Sequence, residues 1–392
     1  MINKKSGFTL IELIGVLVTT AIITLIATPL VMNIIRNVKD STRKRSIDNY
    51  GKAIELAIAD YLLDNGKFPT KVDDLTIEYK GDKVECEVEY INDDNTVYLE
   101  GCEVNGKKVN HTYGIDKRPA ALQLISKANK IEVTNYNDGN KGEMYTFDHE
   151  STVQTPALTD YRYIGNIPKN YVSFNNETWR IIGVFDTDDG TGKYEKRIKL
   201  VRNESIGSKQ WNSSNVNEWV GSTIQEYLND SYVINDESEI IIDKTKYYLG
   251  GLSSYTNGEL YYKAERGNTV YLERNTYWNG VMALMYPSDY IFAYSLGVDD
   301  SCYTNGYNCG TSSEKNSSWI YNSNNNKTCW LLSTNSSGPY YAAGVIWNGS
   351  VRFNSSFPVS AANAIHPVLY LKPEVKIKQG DGTKDNPYVF EL

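Results

Sequence analysis

The chain has 392 residues, of which 22% are charged, and its formal net charge is −8. A mildly acidic chain with no basic stripe interleaved with aromatics excludes the nucleic-acid-binding class. Five cysteines with no Cys-x-x-Cys among them, and three histidines (His111, His149 and His366), give no zinc pattern, so neither a metal nor a cofactor is expected. At roughly 100–200 residues per domain, two folded parts are expected beyond any membrane segment.

Lys4 and Lys5 sit in a short basic leader, residues 1–7. From Phe8 to Ile35 every residue is apolar, small or Thr, except Glu12, Pro29 and Asn33. As a helix this run would span roughly 42 Å, more than the roughly 30 Å hydrocarbon core of a bilayer, and it predicts a membrane helix. A secretory signal would put the apolar run before its cleavage site. Here Gly7 precedes the run, so cleavage after it keeps the helix in the mature chain. Glu12 is the informative residue, because a carboxylate in lipid costs about 2.5–3.5 kcal/mol and is normally paired or functional. Pro29 predicts a kink. Arg36, Lys39, Arg43, Lys44 and Arg45 follow the span, and charge bias alone would put that side in the cytoplasm.

Gly7-Phe8-Thr9-Leu10-Ile11-Glu12 resembles the type IV prepilin cleavage and methylation motif. The resemblance implies that a prepilin peptidase in the cytoplasmic membrane cuts after Gly7 and that Phe8 is N-methylated. It also implies that Glu12 neutralises the new amine of a neighbouring pilin subunit, and that Pro29 marks where the helix bends in a filament. It places the leader in the cytoplasm and overrides the charge bias.

Beyond Lys39 the helix is expected to continue, with Ile47, Tyr50, Ile54, Ala57, Ile58 and Tyr61 on one face and Asn65-Gly66 as its stop. Gly66-Lys67-Phe68-Pro69-Thr70, then Val72-Asp73-Asp74-Leu75, resembles the loop after the long helix of pseudopilins. The stretches 83–91 and 96–104 alternate around Asn92–Asn95 and predict a hairpin, with Cys86 and Cys102 opposite each other and able to form a disulfide. A pilin-like domain is therefore expected over 36–114. Residues 115–160 have no firm pattern beyond a short helix near Ala120–Ala128 and a turn cluster at Tyr136–Asn140, and are read as a connector.

From Tyr161 the texture changes to short strands and Asn/Ser/Gly turns. Glu177–Phe185 and Lys196–Arg202 predict a hairpin; its Asp186–Gly190 loop lacks the Glu of an EF-hand and is read as a plain turn. Trp211, Trp219 and Ile224–Asn229 predict a short amphipathic helix. Cys302 and Cys309 are close enough to close a second disulfide, and Cys329 is left over. Trp179-Arg180-Ile181-Ile182, Leu284–Tyr290, Trp330-Leu331-Leu332-Ser333 and Ile365–Tyr370 resemble, in order, a C-type-lectin-like, formylglycine-generating-enzyme-like surface domain. His366 stands where that pattern has Arg. The expected fold class is thus α+β: a long N-terminal pilin helix with a small antiparallel sheet, then a C-terminal α+β lectin-like domain over 161–392.

No Ser-His-Asp or Cys-His constellation is visible, so no enzyme is expected, and His366 reads as a packed strand residue. The chain has 31 Tyr against 9 Phe. Tyr and Asn on loops suit a binding face: Asn335, Tyr340, Tyr341, Trp347, Asn348, Arg352 and Asn354 are the candidates, for a glycan or protein ligand. The expectation is a minor type IV pilin with an adhesin-like domain, processed at the cytoplasmic membrane and displayed at the cell surface. A pseudopilin of a type II secretion-like or DNA-uptake machine, and a membrane-anchored protein outside any filament, are the alternatives.

Overall fold

A computed structural model describes residues 9–130, 144–254, 256–294, 318–320, 328–346, 349–353 and 357–392. Gly7, Phe8, Cys302, Cys309, Trp347, Asn348, Asn354 and the turn cluster at 136–140 lie outside the described residues. The protein is mixed α and β. It forms two compact units, residues 1–118 and 119–392.

The first unit is built on α1 (Leu10–Asn65). No break in the helix occurs at Pro29. Among the described residues no helix is long and apolar enough to cross a membrane; the side chains of Ile23, Thr24, Ile26, Ala27 and Leu30, inside the apolar run, are outside that description. Gly66 ends the helix in the left-handed conformation, φ 65°, and its N–H donates to Leu62 O at 2.8 Å, a geometry that favours glycine. Ile47, Ile54 and Ile58 of α1 pack with Val84, Ile91, Val97, Leu99, Cys102 and Val104 into one small core.

That core is closed by β1 (Val84–Glu85), β2 (Val88–Ile91), β3 (Val97–Glu100), β4 (Glu103–Val104) and β5 (Lys107–Lys108). β2 and β3 form an antiparallel hairpin with Val88 opposite Glu100. The same register, carried two residues further, sets Cys86 against Cys102, and these form a disulfide with Sγ atoms 2.04 Å apart. Arg118 closes the unit, buried and bonded to Asp116 at 2.7 and 2.9 Å.

The second unit begins with α2 (Ala120–Ile125), β6 (Asn129–Lys130), β7 (Met144–His149), β8 (Leu158–Tyr163), β9 (Tyr171–Phe174), β10 (Glu177–Asp188) and β11 (Tyr194–Arg202). Next come β12 (Ser208–Gln210), α3 (Thr223–Glu226), α4 (Asp236–Glu239), β13 (Ile242–Asp243), β14 (Thr245–Tyr248) and α5 (Gly258–Glu265). These are followed by β15 (Tyr277–Gly280), β16 (Met282–Leu284), α6 (Pro287–Ile291), β17 (Cys329–Thr334), β18 (Ala342–Val345) and β19 (Val351–Arg352). The unit ends with β20 (Ala362–Ala364), β21 (Pro367–Leu371), β22 (Lys376–Gln379) and β23 (Val389–Glu391).

Nine described strands make the main sheet, in the order β13-β21-β11-β10-β8-β7-β6, with β16 on β21 and β9 on β10. A second sheet runs β12-β20-β17-β18-β19. Much of 115–160, read from the sequence as a connector, belongs to this unit: Ala120, Ala121, Leu124, Met144, Tyr145 and Phe147 lie in its core. The main sheet starts at β6 and β7, upstream of the expected boundary at 161. At the centre, β10 and β11 are buried on both faces over most of their length. β10 carries a bulge between Ile181 and Gly183. A Cβ on Gly183 would meet Tyr161 O at 2.2 Å, so the close approach of β8 requires glycine there.

Candidate functional site

Three places carry the functional argument. The first is the start of α1. Thr9 is its N-cap: Thr9 Oγ1 accepts from the Glu12 N–H at 3.3 Å, while the Glu12 carboxylate accepts from the Thr9 N–H at 2.9 Å and from Thr9 Oγ1 at 2.8 Å. This reciprocal capping satisfies donors that a helix start otherwise leaves open. It also gives Glu12 a partner within its own chain. From Leu10 to Ile35 the described side chains project outward, Leu10 at 75% and Ile11 at 81% exposure.

The second place is the turn joining β17 to β18, which holds several of the expected ligand-binding residues. Asn217, buried upstream of α3, organises it. Its Nδ2 donates to Asn335 O at 3.0 Å, Gly338 O at 3.0 Å and Tyr341 O at 2.7 Å, and its backbone N–H donates to Pro339 O at 2.7 Å. The Asn335 side chain is committed to the scaffold, donating to Phe353 O at 2.7 Å and accepting the Ser337 N–H at 2.8 Å. Arg352 is buried in β19, and Tyr341 is half-buried. Tyr340 alone among the described candidates presents an exposed ring. Asn335 thus ties the turn to Phe353, and Arg352 is buried in the strand beside it.

The third place was not anticipated from the sequence. Between β8, β11, α5 and α6 the second unit buries a group of ionisable side chains. Arg162 lies 2.7 Å from Asp160 and 3.1 Å from Asp289; Lys199 Nζ lies 2.5 Å from the other oxygen of Asp289. All four are about 1% exposed or less. Glu265 accepts from the Ser288 N–H at 2.8 Å and the Ser288 hydroxyl at 2.5 Å, and it lies 3.2 Å from Arg266. His149 stacks on Tyr262 with ring centroids 3.6 Å apart, between Asp160 at 3.2 Å and Glu259 at 2.7 Å.

Burial sets the protonation of this group. Loss of water pushes the Glu265 carboxyl up to about 7, because an apolar surrounding disfavours the charged form. Burial likewise lowers Lys199, against the pull of Asp289. Burial alone would raise Asp289 and Asp160, but the adjacent cations outweigh it and both are held below the ordinary range. The sequence signal was a charge at an inward position of an apolar strand, Lys199 between Ile198 and Leu200, and an acid inside the apolar block Leu284–Tyr294.

Two further readings find their places. Of the expected Asp186–Gly190 loop, Asp186, Thr187 and Asp188 belong to β10 and pair with β11; Asp188 Oδ1 accepts from the N–H groups of Gly190 and Gly192, each at 2.8 Å, and so closes the hairpin turn. Among the described residues no group of three or more His, Cys, Asp or Glu is arranged to hold a metal. His366 sits in the two-residue link between β20 and β21 rather than within a strand, buried, with Nδ1 3.2 Å from Arg202 O. Cys329 is buried in β17. No protein-family model, curated protein or solved structure matches this chain.

Proposed function

We propose that this chain is a minor type IV pilin whose second unit is a binding domain of lectin-like kind displayed at the cell surface. The observation that carries the reading is Gly7-Phe8-Thr9-Leu10-Ile11-Glu12 at the head of an apolar run and of a helix of 56 residues. A chain cut after Gly7 keeps that helix, and the apolar run through Ile35 anchors it in the cytoplasmic membrane until assembly. The new amine of one subunit then meets Glu12 of another. The disulfide of the first unit suits a protein that leaves the reducing cytoplasm. In the second unit, the order of β17, β18 and β21, carrying Trp330-Leu331-Leu332, Gly344-Val345 and Pro367-Val368-Leu369, supports the lectin-like reading. Tyr340 on its anchored turn is the described residue best placed to stack on a sugar ring or anchor a protein partner. No catalytic role is proposed.

The loop at Gly66–Thr70 favours a second reading, a pseudopilin whose large second unit organises the assembly of a secretion or DNA-uptake machine. Mass spectrometry of the mature N-terminus tests the basis common to both. The expected chain begins at N-methylated Phe8; an intact Met1, or cleavage at any other bond, removes that basis. Deleting 119–392 separates the two readings: a minor pilin loses binding and still enters filaments, whereas a pseudopilin of this design loses assembly.

A further inference from the structure

The pair Lys199–Asp289 is unusual in its surroundings. Lys199 Nζ touches one oxygen of Asp289 at 2.5 Å, both side chains are at most 1% exposed, and the amine lies over the rings of Tyr286 (4.3 Å to the centroid), Tyr370 (5.3 Å) and Phe185 (5.6 Å). Removing two charges from water costs several kcal/mol for each ion, which their attraction offsets only in part. Asp289 is moreover shared by two cations, since Arg162 holds its other oxygen at 3.1 Å. If Lys199 and Asp289 lost their charges together, Arg162 would still keep Asp160 as a charged partner at 2.7 Å.

We propose that Lys199 and Asp289 condense to an intramolecular amide bond that ties β11 covalently to α6. One proton moves from the ammonium to Oδ2, which turns the ion pair into a neutral amine beside a carboxylic acid. Nζ then attacks Cγ, the Cγ–Oδ2 bond breaks, and Oδ2 leaves as water with the carboxyl proton and one proton from the amine. No oxidant, reductant or other reactant is consumed. The fold supplies what this step needs. It holds amine and carboxyl in contact without translational freedom, which replaces the high concentrations required in solution. Arg162 donates to Oδ1, where negative charge develops in the tetrahedral intermediate. The Tyr286 N–H, 2.9 Å from Oδ2, fixes the orientation of the carboxyl. The low-polarity surroundings, which lower the Lys199 ammonium, favour the attacking amine.

Peptide mapping of the full-length protein, folded and then reduced, alkylated and digested, tests this. The expected product is a branched peptide joining the segments that contain Lys199 and Asp289, lighter than their sum by one water, as the major form. Linear peptides carrying Lys199 and Asp289 at full mass overturn the proposal. So does a water loss confined to a single linear peptide, which is cyclisation of an aspartate onto its own backbone. Lys199→Arg keeps a cation against Asp289 but cannot form the bond; it is expected to abolish the branched peptide and to lower the denaturant midpoint of the second unit. The map of the unmodified sequence decides the matter whatever the variant does. It is independent of N-terminal processing and therefore of the pilin reading.

Discussion

Glu265 shows how a single buried carboxyl writes its environment into stability. Its folded value of about 7 lies above the ordinary 4.5 because burial disfavours the charge. Between those two values the folded chain holds a proton that the unfolded chain has released. Stability from this group is therefore greatest below pH 4.5 and falls as pH rises to 7, by about 3 kcal/mol in total. Glu265→Gln removes the titration while keeping an acceptor for Ser288. The variant is expected to match the parent in urea midpoint near pH 4 and to exceed it near pH 8. Equal midpoints at both pH values would show that Glu265 is not buried as a neutral acid. His149, raised above its ordinary value by Asp160 and Glu259 despite its burial, loses its contribution in the same direction as pH rises; comparing parent and variant isolates Glu265. In the sequence the isolated charges are visible, but their pairing is not. Lys199 and Asp289 are 90 residues apart, and an apolar stretch with one charge reads as an alternating strand until both faces of the sheet are known to be covered.

At the scale of elements, local pairing was legible and long-range placement was not. The hairpin of β2 and β3 could be read because its turn lies between its strands and the register follows from the alternation. That same register brought Cys86 and Cys102 together. The long helix could be read from its apolar face and its Asn-Gly stop. Within 115–160, the inward residues of β7 become visible only once its pairing with β6 and β8 is known. The Asn, Ser and Gly residues between β17 and β18 mark a loop in the sequence, but its anchor, Asn217, lies more than a hundred residues upstream. Asn217→Ala removes one amide that serves three carbonyls. The expected cost is about 2–3 kcal/mol, with faster amide hydrogen exchange confined to residues 335–341 and unchanged exchange in β10 and β11. Uniform loosening of the second unit would instead mean that the turn is part of its folding core.

At the scale of the whole molecule, a first unit of one long helix and a small sheet is followed in the chain by a second unit of more than 250 residues, the boundary falling between Arg118 and Pro119. Under the surface display proposed above, a pull on the second unit passes along the backbone through Pro119 and Arg118 towards α1. On the way it reaches Cys102 and crosses the disulfide to Cys86, so the hairpin between them carries no load. The bridged residues are 16 apart, and at roughly 3.3–3.6 Å per extended residue the bond withholds roughly 55 Å of chain from stretching. Single-molecule extension is expected to show an unfolding step for the first unit longer by this amount once the bond is reduced, and no difference if the two thiols are not joined. The bond would thus act as a mechanical shunt, sparing the hairpin the tension that opens the strands around it.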